Sequence, residues 1–201
     1  MIIMRYVNQL DYPHMLYRTR TDPEHPRHET GKHTTVRASG CGLCSAIMVA
    51  DRLLPSYKFD LEDALELAYS TNASHGVGTD YKLFAPAFAE KMGLKFVSTS
   101  DQEQLLHCLR TGGAAVVHVG CGKDGQPGLF TRGGHYMAVI GEEPDGRLAI
   151  LDPSYYVGKY EEEGRAGKVE VVKEFIALCT PEILHAEGRT GKPFYHLFWR
   201  A

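Results

Sequence analysis

The chain has 201 residues, 43% of them hydrophobic and 23% charged, with a formal net charge of −3 at pH 7. That is the composition of one soluble globular domain with a sizeable core, and the charge gives no ground for a nucleic-acid or acidic-membrane partner. No apolar run reaches the length of a membrane span, and the five cysteines, odd in number and irregular in spacing, read as reduced thiols rather than a disulfide framework.

The opening stretch MIIMRYVNQLDYP lacks the apolar core and small-residue cleavage site of a signal peptide, so a cytoplasmic location is the expectation. Residues 2–10 read as a short entry strand. From Tyr12 to Ser39 three prolines, four histidines and many charges break any periodicity. A loop of that length inside a compact domain is usually functional. Helical spacing begins at Cys41: Leu43, Ala46, Ile47, Ala50 and Leu54 form one apolar stripe, and Pro55 supplies the stop. A second helix is predicted over 60–70 with Asp60 as its N-cap. A third is predicted over 80–92, capped by Thr79 and closed at Gly93 although Pro86 lies inside it. A fourth is predicted over 101–110. Beyond it the period changes to that of strands at 114–119, 135–141, 147–152, 167–172 and 194–199, and Thr180-Pro181 marks a further helix start. Helices first and a mostly antiparallel sheet second predict a single α+β domain over residues 1–201.

The segment ASGCGLCSAIMV, 38–49, allows three chemistries for Cys41 and Cys44: a redox pair, half of a zinc site, or a catalytic thiol with a bystander. Gly40 and Gly42 permit a tight turn and close backbone approach. A thiol at a helix start is favoured as thiolate and sits beside free N–H groups. A base would be needed, and His135 follows two glycines at the mouth of a strand. Asp152 ends the neighbouring strand across the EEPDG turn, where its carboxylate can hold the ring in its productive tautomer. Taken singly, a buried cysteine, a strand-edge histidine and an Asp-Pro turn are all commonplace. Together they point to a nucleophile, a base and its orienter.

With these residues in order, YVNQLDY, SGCGLCSAIMV, GT before a helix, GGHYMAVIG and AILDPS, the chain resembles the bacteriocin-processing-peptidase-like group of papain-fold cysteine peptidases over nearly its whole length. The resemblance implies a papain-like fold, a peptide or protein substrate and no cofactor. It implies Cys41 as nucleophile, His135 as base, Asp152 as orienting residue, and Gln9 as the glutamine whose amide lines the oxyanion hole. That glutamine stands much nearer the cysteine in the family, which makes 13–39 an insertion here. The second thiol, Cys44, is also outside the family pattern. Family members that process leaders after paired glycines are often fused to exporters, so that substrate is not carried over to a single domain.

The redox reading lacks the core strand that normally precedes a Cys-x-x-Cys helix, and it leaves His135 and Asp152 without a role. Zinc lacks a second ligand pair among Cys108, Cys121 and Cys179, and His25, His28 and His33 read as a solvated loop. A non-catalytic binding module would not need all three residues. Acyl transfer to an amine stands as the enzymatic alternative to hydrolysis. Cys44 and Cys108 read as packing, and His118 as a strand residue on the less buried face. Residues 120–134 read as a flap or a long hairpin loop, and Tyr155, Tyr156 and Tyr160 as groove or packing.

Overall fold

The computed structural model describes residues 5–18, 34–75, 78–120 and 128–201. After a 3₁₀ turn at Gln9–Asp11, strands β1 (Leu16–Tyr17) and β2 (Thr34–Thr35) pair antiparallel, so two rungs close the base of the 13–39 segment. Next come a one-turn helix α1 (Val36–Ser39), α2 (Cys41–Leu53), α3 (Leu61–Ser70), a small ribbon of β3 (Ser74–His75) and β4 (Gly78–Thr79), and α4 (Tyr81–Met92). The second half contributes β5 (Leu94–Thr99), α5 (Gln102–Arg110), β6 (Ala114–Val119), β7 (His135–Glu142) and β8 (Leu148–Leu151). It continues with β9 (Glu170–Val172), β10 (Ile176–Cys179), α6 (Pro181–Ala186) and β11 (Tyr195–Arg200). Seven strands form one antiparallel sheet in the order β5-β11-β6-β7-β8-β10-β9.

Local chemistry sets the helix ends. Asp60 and Asp63 form a reciprocal capping box at α3, and the side chains of Asp80, Asp101 and Thr180 cap α4, α5 and α6. Gly93 ends α4 at φ +63°, a left-handed position that favours glycine. Pro86 is accommodated inside α4 on its solvent side.

Two cores cover the two faces of the sheet. One packs α2, α3 and α4 on Ala114, Val116, Tyr136, Ala138 and Leu151, with Phe59, Phe88 and Phe198 in edge and tilted contacts at 5.2–5.3 Å. The other packs α5 and α6 on Val117, Val119, Met137, Val139 and Ile150. Alternate residues of β6 and β7 therefore enter opposite cores, which buries all of β6 and residues 135–140 of β7. Helix α2 is buried at every position from 41 to 50, as expected of a helix apolar on all sides.

Three expectations change. Residues 5–8 are not strand, and the chain there leads into a 3₁₀ turn instead. The cap of α4 is Asp80, one residue after Thr79, whose hydroxyl bonds Tyr17 Oη at 2.8 Å. His118 is buried, because helices cover both faces of β6 and neither is the less buried one.

The start of α2 docks so closely that a Cβ at Gly42 would lie 2.8 Å from Tyr81 Cε2 and 3.0 Å from Thr79. Tyr81 also donates its hydroxyl proton to Gly42 O at 2.6 Å and cannot yield freely. Gly42→Ala is therefore expected to cost about 1–3 kcal/mol by overpacking, read as a lowered midpoint in thermal denaturation.

Candidate active site

Cys41 is the first residue of α2, and Gly40 before it has φ −88°, so no left-handed turn is involved. The glycine is required by space instead: a Cβ at residue 40 would meet Val36 O at 2.6 Å. His135 opens β7 and Asp152 directly follows β8. These strands are antiparallel neighbours, so the beginning of one and the end of the other share one end of the sheet. There His135 Nε2 meets Asp152 Oδ1 at 2.7 Å, and the ring lies near enough to the Cys41 thiol that each shifts the other's ionisation. With Nε2 committed to Asp152, Nδ1 is the nitrogen left for sulfur.

Asp152 is 1% exposed and is surrounded by donors. Oδ1 also accepts from the Ser154 backbone N–H at 2.9 Å and from Ser154 Oγ at 3.1 Å. Oδ2 accepts from Lys159 Nζ at 2.5 Å and Tyr160 Oη at 2.6 Å. Lys159 is itself buried and bonds Ser154 Oγ at 2.9 Å. Burial opposes the Asp152 charge, but His135 and Lys159 outweigh it and hold the carboxyl far below the ordinary range.

The same competition is resolved in favour of charge along the chain of contacts. Burial disfavours His135 as a cation, yet the charge and hydrogen bond of Asp152 raise it to about 9. Burial likewise opposes the Cys41 thiolate, and its hydrogen bond and charge pairing with His135, aided by the Tyr136 and Gly42 backbone, lower the thiol below its usual value. One turn along α2, Cys44 lies in the core, where burial and the neighbouring Cys41 drive its thiol upward. Burial also raises Cys108 and Cys179 to about 12.

The N-terminal segment is fastened along the residues around Asp152. Tyr6 Oη donates to Asp152 O at 2.6 Å, Gln9 N to Pro153 O at 2.7 Å, and Asn8 Nδ2 to Tyr155 O at 2.8 Å. Gln9 is thereby buried close to the His135–Asp152 pair. Its Nε2 donates to Arg37 O at 2.7 Å, while its Oε1 has no hydrogen-bond partner.

A cleft of about 450 Å³ opens beside Cys41, bounded by residues 78–80, Gly134, Tyr136, His118, Arg189 and Lys192. His118 stacks on Tyr136 at 4.1 Å, and Tyr136 on Tyr81 at 4.3 Å.

Several residues near the site were not predicted. Ser154 sits in the DPS turn but carried no separate signal. Lys159 gave none, since lysine is solvent-facing by default. Tyr160 is buried against Asp152, Tyr155 stacks on it at 6.1 Å, and Tyr156 is exposed and bonded to Glu162. Of the 120–134 segment, residues 121–127 lie outside the described residues; Leu129 and Phe130 are buried in the second core with the Leu129 N–H held by Glu187, and residues 132–134 are exposed. Cys121 and the histidines 25, 28 and 33 lie outside the described residues. Among the described residues no group of three His, Cys, Asp or Glu is placed to hold a metal, and no helix is long and apolar enough to cross a membrane.

A central helix carrying a cysteine at its start, set against an antiparallel sheet, is the α+β papain-like peptidase fold. Among solved structures it is similar to the peptidase domain of Streptococcus ComA, a bi-functional ABC transporter involved in a quorum-sensing pathway, with a TM-score of 0.51 and 18% identity over 80% of this chain and 91% of that one. It is also similar to a Bacillus anthracis protein described as a C39-like peptidase, with a TM-score of 0.58 and 10% identity over 100% of this chain and 96% of that one. At these identities the likeness is one of fold. No protein-family model matches the chain, and no curated protein matches it in sequence.

Two outcomes follow from the electrostatics. Mapped alkylation with iodoacetamide at pH 7 is expected to label Cys41 ahead of Cys44, Cys108 and Cys179. In His135→Ala burial is opposed only by the Tyr136 and Gly42 backbone, and the Cys41 rate should fall by about tenfold or more. Lys159→Met removes one of the two cations paired with the buried Asp152, leaving His135, Tyr160 and Ser154, and should lower unfolding stability by about 1.5–3 kcal/mol, measured by chemical denaturation.

Proposed function

We propose that this protein is a cysteine-dependent hydrolase of peptide or amide bonds, acting through Cys41, His135 and Asp152. The observation that carries the reading is a thiol at the start of α2 electrostatically coupled to an imidazole that is itself hydrogen-bonded to a buried carboxylate. The fold shared with peptidases supports the same substrate class.

The reacting form pairs the Cys41 thiolate, favoured by its lowered pKa, with a His135 imidazolium. The sulfur attacks the substrate carbonyl carbon, forming the C–S bond. The resulting oxyanion is met by the Cys41 backbone N–H, which no turn of the helix uses, and by the second N–H of the Gln9 amide, whose first is fixed on Arg37. The C–N bond then breaks as His135 passes its proton to the leaving nitrogen. In the second half neutral His135 takes a proton from water, and the water oxygen attacks the thioester. The C–S bond breaks to return the thiolate and release the acid. Asp152 keeps the ring aligned and stabilises its cationic form, without itself taking up the proton.

The test is thiol-dependent cleavage of a peptide library, read by mass spectrometry. Cys41→Ala should abolish cleavage, and cleavage that survives it would reject the reading. Gln9→Ala should lower kcat by about 10²-fold or more while leaving KM little changed. The pH profile of kcat/KM should rise with ionisation of Cys41 and fall as His135 loses its proton near pH 9, since only the protonated ring can deliver a proton to the leaving group.

A further inference from the structure

The cleft beside Cys41 is more basic than the chain as a whole. Arg189 and Lys192 line it, and Lys192 extends into an adjoining cavity of about 340 Å³ that Lys82 also borders. Among the described residues neither Arg189 nor Lys192 takes part in an ion pair. The one acidic group lining both cavities, Asp80, is engaged in capping α4 through the Lys82 N–H.

Arg189 is seated with unusual care for a loop residue. Its backbone N–H donates to His118 O at 2.9 Å, beside the bridge between Val119 and Gly188. Its stem lies against Gly120, where an added Cβ would be 3.7 Å from Arg189 Cα and 3.9 Å from Cγ. Its guanidinium lies against Gly134, where an added Cβ would be 2.9 Å from Arg189 Nη1 and 3.2 Å from His118 Nε2. A side chain at residue 134 would displace the guanidinium from the position immediately before His135. The buried His118 lines the same cleft with its Nε2 beside Gly134, while its Nδ1 has no hydrogen-bond partner. Burial, with Lys192 and Arg189 close by, pushes this imidazole down to about 3, so it stands there neutral.

Two cations that make no ion pair among the described residues, outnumbering the single Asp80 carboxylate of the cleft and set beside a neutral imidazole and the Cys41 thiol, make a receptor for an anion flat enough for a guanidinium fork. We propose that this cleft binds a substrate carboxylate through Arg189 and Lys192, so that the enzyme selects peptides carrying an acidic side chain or a free α-carboxylate close to the cleaved bond. The proposal rests on the hydrolase reading only for the word substrate, because binding at the cleft does not require turnover.

The test uses N-acetylated hexapeptide amides in matched pairs with Glu or Gln at each position in turn, and matched free-acid and amide C-termini to separate the two carboxylate sources. Two readouts are taken: kcat/KM, and protection of Cys41 from iodoacetamide by the same peptides. A charged hydrogen-bonded contact corresponds to a preference of roughly 10–100-fold for the acid form. Arg189→Gln and Lys192→Gln, made separately in case one fails to fold, should each shrink that preference to about threefold or less. Equal protection by acid and amide forms in the unaltered protein overturns the proposal, as does a preference that both variants retain. Acid-selective protection without any cleavage supports the binding site while rejecting the hydrolase reading.

Discussion

A carboxylate with almost no access to water stands at the centre of this molecule's chemistry. Left alone, Asp152 would be neutral, and a neutral acid could neither align His135 nor stabilise its charge. Donors from Lys159, Tyr160, Ser154 and His135 replace the lost hydration, so the group stays ionised. Everything further along depends on that charge. It makes an imidazolium tolerable in a buried place, and the imidazolium in turn makes a thiolate tolerable at the end of a buried helix. Each member of the series is destabilised by burial and restored by its neighbour.

Cys41 and Cys44 show how local this effect is. They share one helix, one apolar surrounding and nearly one depth. The first has a protonated ring beside it and the backbone around its sulfur, and it is driven toward thiolate. The second has only core neighbours and is driven the opposite way. The opposite shifts of the two thiols come from a partner reached through the tertiary fold rather than from the Cys-x-x-Cys spacing.

The sequence made some of this visible, for identifiable physical reasons. Helices α2 and α3 were legible because periodicity, Asp60 and Pro55 all report locally. Strands β6 to β8 were legible because their residues are continuously apolar and glycine-rich turns separate them. Strand β5 was missed: LKFVST is half-exposed at a sheet edge and held by β11, whose pairing residues lie at the other end of the chain. The placement of His118 failed because alternation cannot reveal that helices cover both faces of a strand. Cys41, His135 and Asp152 stood out by their glycine and proline neighbours and by resemblance. Lys159 and Arg189 did not, because nothing in a turn-rich stretch marks a lysine that will be buried or an arginine that two distant glycines will accommodate.

The staple between residues 6–9 and residues 152–155 has a consequence for the protein's synthesis. The hydrogen bonds from Tyr6 and Asn8 close loops of 146 and 147 residues, the entropically costly kind of contact that local structure cannot anticipate. A chain still on the ribosome with its first half exposed already contains the cysteine, its helix and the glutamine, but neither the imidazole nor the carboxylate. No nascent fragment ending before residue 152 contains both partners of any bond in the staple. The thiol therefore meets His135 and Asp152 only after residue 152 has emerged, and assembly of this cluster coincides with joining of residues 6–9 to residues 152–155.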